Sequence, residues 1–372
     1  MSQVCCGEAD SFFLGPLGSI WASGSNDRGQ HGRGDFQSYA VFTVVPSVAV
    51  IKQISCGASH TVCVSDSGQV WSFGDNSKCQ LGVSVFHGTR SRSNPERVPI
   101  SAPIVSVTCG INHTVCLDNE ENCWAFGCND YGQLGCESLR NARAEPEKIP
   151  NAVNIRLVAC SNHTILVAHN RNVLVCGNNS DRQLGLPNDT SFECKRNSLL
   201  TRELQPVSGD IIGVSCTMSS TAVLNEKGEV FIAGKIHYSV FGSFCHMKSL
   251  SGICNISSGY DFYMCVDNNG NLTTFGDISH SHSLERTVED SAVPKRIQEI
   301  NSVAALSSGG HHAIVCDSEG ITWAFASNNK GQLGLGYRHI KPAMGPTKLA
   351  SKYSQIISQG NTSGRKKSAR KV

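Results

Sequence analysis

The sequence predicts an all-β chain folded as a seven-bladed β-propeller of about 50-residue repeats. Three observations carry this reading. First, landmarks recur at constant offsets: from Gly57, His60 lies three residues on, Gly68 eleven, Trp71 fourteen, Gly74 seventeen and Gly82 twenty-five. Seven copies begin at Gly7, Gly57, Gly110, Cys160, Thr217, Gly259 and Gly309, with no insertion or deletion expected inside the unit. The residue seventeen on is Gly24, Gly74, Gly127, Gly177, Gly234, Gly276 and, in the last copy, Ala326. Second, each copy reads as a hairpin. HTVCV and QVWSF flank the turn signal DSG, with PLG, EKG, NNG and SEG in its place elsewhere, and a glycine there supplies the positive φ that such turns demand. Third, no window sustains a helical period. A further strand (VIKQIS before Gly57, IVSVTC before Gly110) precedes each hairpin, so the unit is a small antiparallel sheet.

These residues also carry a family resemblance. The pattern I-S-C-G-x-x-H-T, then G-x-V-W-x-F-G-x-N, then G-Q-L-G resembles the repeat of the regulator of chromosome condensation family, whose members form seven-bladed propellers. The match runs over about residues 3 to 363. On this reading residues 1–363 are one closed domain and 364–372 a basic, disordered tail. Charged residues at 17% and hydrophobic residues at 40% suit a soluble β protein, and no apolar run is long enough for a transmembrane helix.

In chain order, SFFLGPLGSIWASG looks like the core of a signal peptide. Glu8 and Asp10 precede and open it without any Lys or Arg, and Gly7, Gly18, Trp21, Gly24 and Gly32 keep the repeat offsets, so it is read as blade. The chain is expected in the cytoplasm, the nucleus or both. Trp21, Trp71, Trp124 and Trp323 share one repeat position, with Leu174, Phe231 and Thr273 in the other copies, and are expected to pack as core. His60, His113, His163 and His312 share another slot, filled elsewhere by Asp10, Ser220 and Phe262. A residue distributed around a ring reads as an architectural hydrogen-bonder, since a catalytic group would be unique. The 18 cysteines recur at repeat positions and read as small buried residues. No C-x-x-C spacing occurs, so neither a metal site nor a cofactor is expected. GSNDRGQHGRG (24 to 34) lacks the Lys-Ser/Thr ending of a P-loop, and no nucleophile elbow, zincin or kinase signature is present.

Individuality lies in the spacers, among them HGTRSRSNPER (87 to 97), ESLRNARAEPEK (137 to 148), PNDTSFECKRNSLLTRELQP (187 to 206) and DISHSHSLERTVEDSAVPKR (277 to 296). Variable loops on a rigid scaffold are where partners bind; tolerated insertion is the alternative. The ring is expected to close by pairing of the N- and C-terminal segments. SQIISQG (354 to 360) matches the strand before the anchor, and SQVCCG (2 to 7) competes for the same place. Arg365, Lys366, Lys367, Arg370 and Lys371 form a candidate nuclear localisation signal or a solvating end; removing these five cations from a net charge of +2 leaves −3 for the rest. A mildly acidic body argues against nucleic-acid binding by the propeller itself. A monomer is expected.

Two functions follow from the resemblance. One is a protein-protein interaction scaffold using the ring faces and spacer loops. The other is that of the family's founding member, a guanine-nucleotide exchange factor for the Ran-type small GTPase, which acts by binding the nucleotide-free state more tightly than the loaded one. Exchange calls for acidic and imidazole groups on the loop before the His slot and for a protruding wedge. The residues there are Ala9, Ser59, Asn112, Asn162, Ser219, Asp261 and His311, with Asp10 in the slot itself. Only Asp261, His311 and Asp10 are ionisable, and no wedge stands out, although 83–103 and 186–210 are long enough. The scaffold is therefore preferred, with Asp10, Ser59, Asn112, Asn162, Asp261 and His311 as the candidate ring-face residues.

Overall fold

The computed structural model describes residues 3–84, 90–136, 140–186, 200–202, 207–278 and 293–350. Seven four-stranded antiparallel sheets form, each from four consecutive strands. Blade two shows the plan: Ile51–Cys56, His60–Ser65, Val70–Asp75 and Ser91–Arg97 run from the inside of the ring outward. The first strands of neighbouring blades touch all the way round, and that of blade seven (Val303–Ser308) touches that of blade one (Gln3–Cys6), so the ring is closed.

The expected joining of the two chain ends in one sheet is not how these residues close it. Blade one takes all four strands from the N-terminus, Gln3–Cys6, Asp10–Leu14, Ile20–Gly24 and Tyr39–Val45. Its inner place is held by Gln3–Cys6 because Val4 and Cys6 point into a core shared with blade seven (Phe13, Phe42, Ile314, Leu333), while Gln3 faces blade two. Segment 354–360 and the basic cluster 365–371 lie outside the described residues. The ring therefore closes by packing and cross-seam hydrogen bonds, among them Ser11 Oγ with His312 Nε2 at 2.8 Å and Cys6 N to Ser307 Oγ at 3.0 Å.

Second strands read as continuous apolar or hydroxyl text because both faces are covered by neighbouring blades; His60–Ser65 and His113–Asp118 are buried at every residue. The cores lie between blades, not inside them. Phe12, Phe13, Phe73, Phe126 and Phe262 are fully buried there. The tryptophans sit at the edges of these cores: Trp21, Trp71, Trp124 and Trp323 are only partly buried against them. The tryptophans expected to pack as core thus pack against the cores between blades from their edges. The indole N–H explains the placement of two of them, since Trp124 and Trp323 reach out to Asp118 and Asp317 at 2.9 and 3.2 Å, whereas Trp71 Nε1 is buried without a hydrogen-bond partner.

The glycine seventeen residues into each copy has a specific cause. Gly74 pairs with His60 at φ +109, and a Cβ there would meet the Ser59 carbonyl at 2.5 Å. Ala326 accepts the same place at φ 65, a left-handed conformation that costs an L-residue about 1–2 kcal/mol. Ala326→Gly is expected to stabilise the protein by about 0.5–1 kcal/mol after the entropic cost of glycine, measured by urea denaturation. A lower midpoint would show that the Ala326 methyl, packed in the blade six–seven core, outweighs the strain.

One copy breaks the ruler. Cys160 ends the first strand of blade four and pairs with Thr164, whereas Cys56 pairs with Thr61, so the turn of blade four is one residue shorter. Cys160 is thus the counterpart of Cys56, and Ser161 N takes the bond to His163 O that Gly57 N makes to His60 O. The unit does contain a deletion, in this one turn.

Candidate functional site

The turns between first and second strands surround the mouth of the central channel. Residues of six of the seven turns line a cavity of about 220 Å³ there, among them Glu8, Ala58, Ile111, Ser161, Tyr260 and Gly310, and blade five contributes the end of its first strand, Val214–Cys216. Two sets of bonds hold these turns. The amide in the middle of a turn donates to the next blade's turn: Ala58 N to Ile111 O, Ile111 N to Ser161 O, Met218 N to Tyr260 O, Tyr260 N to Gly310 O and Gly310 N to Gly7 O, all at 3.0–3.1 Å. The carbonyl before the His slot accepts from the end of its own third strand, as Ser59 O does from Asp75 N and Asp261 O from Asp277 N, both at 2.8 Å. Side chains at these turns are therefore presented from a fixed backbone.

Beneath the turns, the slot residue of every blade but the first faces the residue following the slot in the next blade. His60, His113 and His163 contact Thr114, Thr164 and Thr221 through Nε2 at 3.1, 2.8 and 2.7 Å. Each threonine hydroxyl donates onward to the carbonyl of Gln80, Gln133 or Gln183. With its proton so committed, the hydroxyl can only accept from the imidazole, which fixes the neutral Nε2–H tautomer. Burial keeps His60, His113, His163 and His312 neutral, with pKa values of about 3. The anchor glycine exists to admit this ring: a Cβ on Gly57 would lie 2.2 Å from His60 Cε1.

The other seams substitute in matched pairs. Short Ser220 is met by Tyr263, hydroxyl to hydroxyl at 2.9 Å, and bulky Phe262 packs in one apolar cluster with small Ala313. Reading the slot against the following residue of the next copy would have revealed this from the sequence. The recurrent Gln of G-Q-L-G likewise has a legible role, its carbonyl holding the next blade and its Oε1 accepting from the backbone two residues back, as Lys78 N to Gln80 Oε1 at 2.8 Å shows.

Of the six candidate ring-face residues, Ser59, Asn112, Asn162, Asp261 and His311 are half-buried at the turns, around the mouth. Asp10 is not on that face. It is 2% exposed, lies beneath the turn with Oδ1 beside Gly7, and its carboxyl is pushed well above the usual range, first by burial and then by Glu8. Two residues not singled out from the sequence join the face: exposed Glu8 and half-buried Tyr260. The Tyr260 ring stands edge-on to His311 at 5.4 Å, and burial and the Glu8 carboxylate raise its phenol. Blades one, six and seven thus form the ionisable side of the mouth, while Ser59, Asn112 and Asn162 make the other side neutral and amide-rich. Among the described residues, no group of three His, Cys, Asp or Glu is placed to hold a metal ion, and no helix is long and apolar enough to cross a membrane.

A family model described as the RCC1-like domain matches residues 1–243, well over half of the sequence. The chain belongs to the RCC1-like domain family. Similar proteins of this family include the Ultraviolet-B receptor UVR8 of Arabidopsis thaliana, 27% identical over 249 residues, 63% of this chain and 55% of that protein. The human Regulator of chromosome condensation is 25% identical over 296 residues, 69% of this chain and 67% of its own length. The chain thus spans about half to two-thirds of these relatives. Among solved structures, human WBSCR16 matches with a TM-score of 0.74 at 20% identity, covering 84% of this chain and 85% of that one. Prp20p of Saccharomyces cerevisiae matches with a TM-score of 0.74 at 17% identity, covering 89% and 85%. At such identities the likeness is one of fold, and this RCC1-like propeller's function rests on its own face.

Proposed function

We propose that this RCC1-like propeller is a protein-protein interaction scaffold whose partner docks on the turn face around the channel mouth. The observation that carries the reading is the fixed backbone of that face, tied at each turn to its own blade and at five turns to the next, so that binding costs little ordering. The partner meets amide and hydroxyl groups at Ser59, Asn112 and Asn162, and ionisable groups at Glu8, Asp261 and His311. Prp20p of Saccharomyces cerevisiae has binding properties toward Gsp1p and histones, and it has been crystallised bound to Kap60; protein partners are thus familiar to the fold. The cations from Arg365 to Lys371 serve in this reading as a nuclear localisation signal, and the protein acts as a monomer in the nucleus and cytoplasm.

Guanine-nucleotide exchange on a Ran-type GTPase is the second reading, favoured by the corner of Glu8, Tyr260, Asp261 and His311. The two readings part in paired experiments. Affinity capture with the parent is expected to recover a defined protein assembly that Ser59→Arg and Asn112→Arg abolish while leaving stability within about 1 kcal/mol. Release of labelled GDP from a purified Ran-type GTPase is expected to be unaccelerated by the parent. Acceleration that Asp261→Ala or His311→Ala removes would replace the scaffold reading with exchange.

A further inference from the structure

The inner strands of adjacent blades meet in a repeated register, in which the next-to-last residue of one faces the last residue of the following blade's strand. Between blades two and three, Ser55 Oγ accepts from Cys109 N at 2.9 Å and the Cys109 thiol donates to the Ser55 carbonyl at 3.4 Å. Ser307 and Cys6 repeat both contacts between blades seven and one, at 3.0 and 3.5 Å. Ser257 Oγ accepts from Ser308 N at 3.0 Å, and the Ser215 and Ser258 hydroxyls lie 2.7 Å apart. Blades three and four carry Thr108 and Ala159 at the same register.

Blade one departs from the series. Its residue is Cys5, and it faces Cys56, so a second sulfur stands where the other seams offer a hydroxyl or a methyl. The two sulfurs are 3.1 Å apart, roughly 1 Å longer than a disulfide bond. The strands that carry them are clamped beside this pair, because the Gln3 side-chain amide donates to Ile54 O and accepts from Ile54 N, each at 3.0 Å. Cys56 lines the channel-mouth cavity, and both cysteines are partly exposed, so a small polar oxidant has a route to the pair.

We propose that Cys5 and Cys56 are an oxidisable dithiol that a hydroperoxide converts into a disulfide stapling the N-terminal strand to blade two. One sulfur attacks the peroxide O–O bond, forming a sulfenic acid as the distal oxygen leaves as water. The other sulfur then attacks the sulfenic sulfur; the S–S bond forms, the S–O bond breaks, and the hydroxyl leaves with the thiol proton as a second water. Two thiols and one hydrogen peroxide thus give one disulfide and two waters. The staple closes a loop of about 50 residues in the unfolded chain and pins the inner strand of blade one to that of blade two.

The test uses the full chain treated with hydrogen peroxide, quenched, alkylated and digested. The expected result is a linked peptide pair joining Cys5 to Cys56, with a Tm about 5 °C higher that returns to the starting value on adding dithiothreitol. Cys5→Ser should fold normally, since serine holds this register at four other seams, and should lose both the link and the Tm rise. Cys6→Ser should keep both. A link to Cys56 that persists in Cys5→Ser, or a parent in which Cys5 stays reduced or ends as an unlinked sulfonic acid, would overturn the proposal.

Discussion

Acidification from about pH 7 to about pH 5.5 is expected to remove a large share of this propeller's stability, because its seams are built on neutral imidazoles. His60, His113, His163 and His312 are held at a pKa of about 3 by burial, and His31, buried beside Phe12, likewise. An unfolded histidine titrates near pH 6.5. Since the folded values are depressed, the unfolded chain binds more protons at every pH between about 6.5 and 3, and stability present above that window is lost as pH falls through it. At pH 5.5 each histidine forfeits about 1.4 kcal/mol, and five forfeit about 7 kcal/mol, against a typical total of about 5–15 kcal/mol. Asp10 has the opposite sign: its raised pKa penalises the fold as pH rises above the carboxylate range, and one such group offsets little of the loss. Thermal melts across this range, followed by circular dichroism, should show Tm falling steeply below pH 6.5. His60→Gln, which keeps a donor and removes one titration, should reduce that slope by about a fifth. A Tm constant to pH 5 would mean that the imidazoles are charged or solvated in the folded ring.

Deleting residues 1–6 is expected to be the most damaging small truncation of the described chain. Gln3–Cys6 is the inner strand of blade one, and it belongs to both seams of that blade. Its loss removes the Gln3 clamp on Ile54, the bond from Cys6 N to Ser307 and the burial of Val4 and Cys6 against Phe13 and Ile314. Together with the strand's ladder bonds these contribute on the order of 5 kcal/mol, so the truncated protein should melt about 6 °C lower or fail to give a cooperative transition. An unchanged Tm would show that SQIISQG (354 to 360) can take the vacated place, and the ring would then close with the C-terminal segment after all.

The repeat count and the order of the first three strands within a blade were legible because each depends on local chemistry repeated seven times. Gly74 and its counterparts need positive φ whatever surrounds them, and DSG turns a hairpin on its own account. The candidate site was less legible. Ser59, Asn112, Asn162, Asp261 and His311 were found by their offset and do lie at the turns, but Glu8 and Tyr260 were missed, since their place beside His311 arises only when blade one meets blades six and seven. Asp10 was assigned to the face by offset alone; a carboxylate is shorter than an imidazole, and it stays beneath the turn where the histidines span the seam.

What the amino-acid order determined by itself is most of the blade: its first three strands, its glycines and the slot that histidine fills; the outer strands Ser91–Arg97 and Ala142–Lys148 fall in the spacers 87–97 and 137–148, which read as variable loops because they lack an apolar alternation. Tertiary structure alone decided which chain end occupies the inner place of blade one, how deep the tryptophans sit, and that two thiols meet between blades one and two. The physical reason is distance along the chain. Each of these outcomes depends on contacts between residues roughly 50 positions apart, or, between blades seven and one, about 300, and the energies that settle them appear only when the ring closes and the cores between blades exclude water.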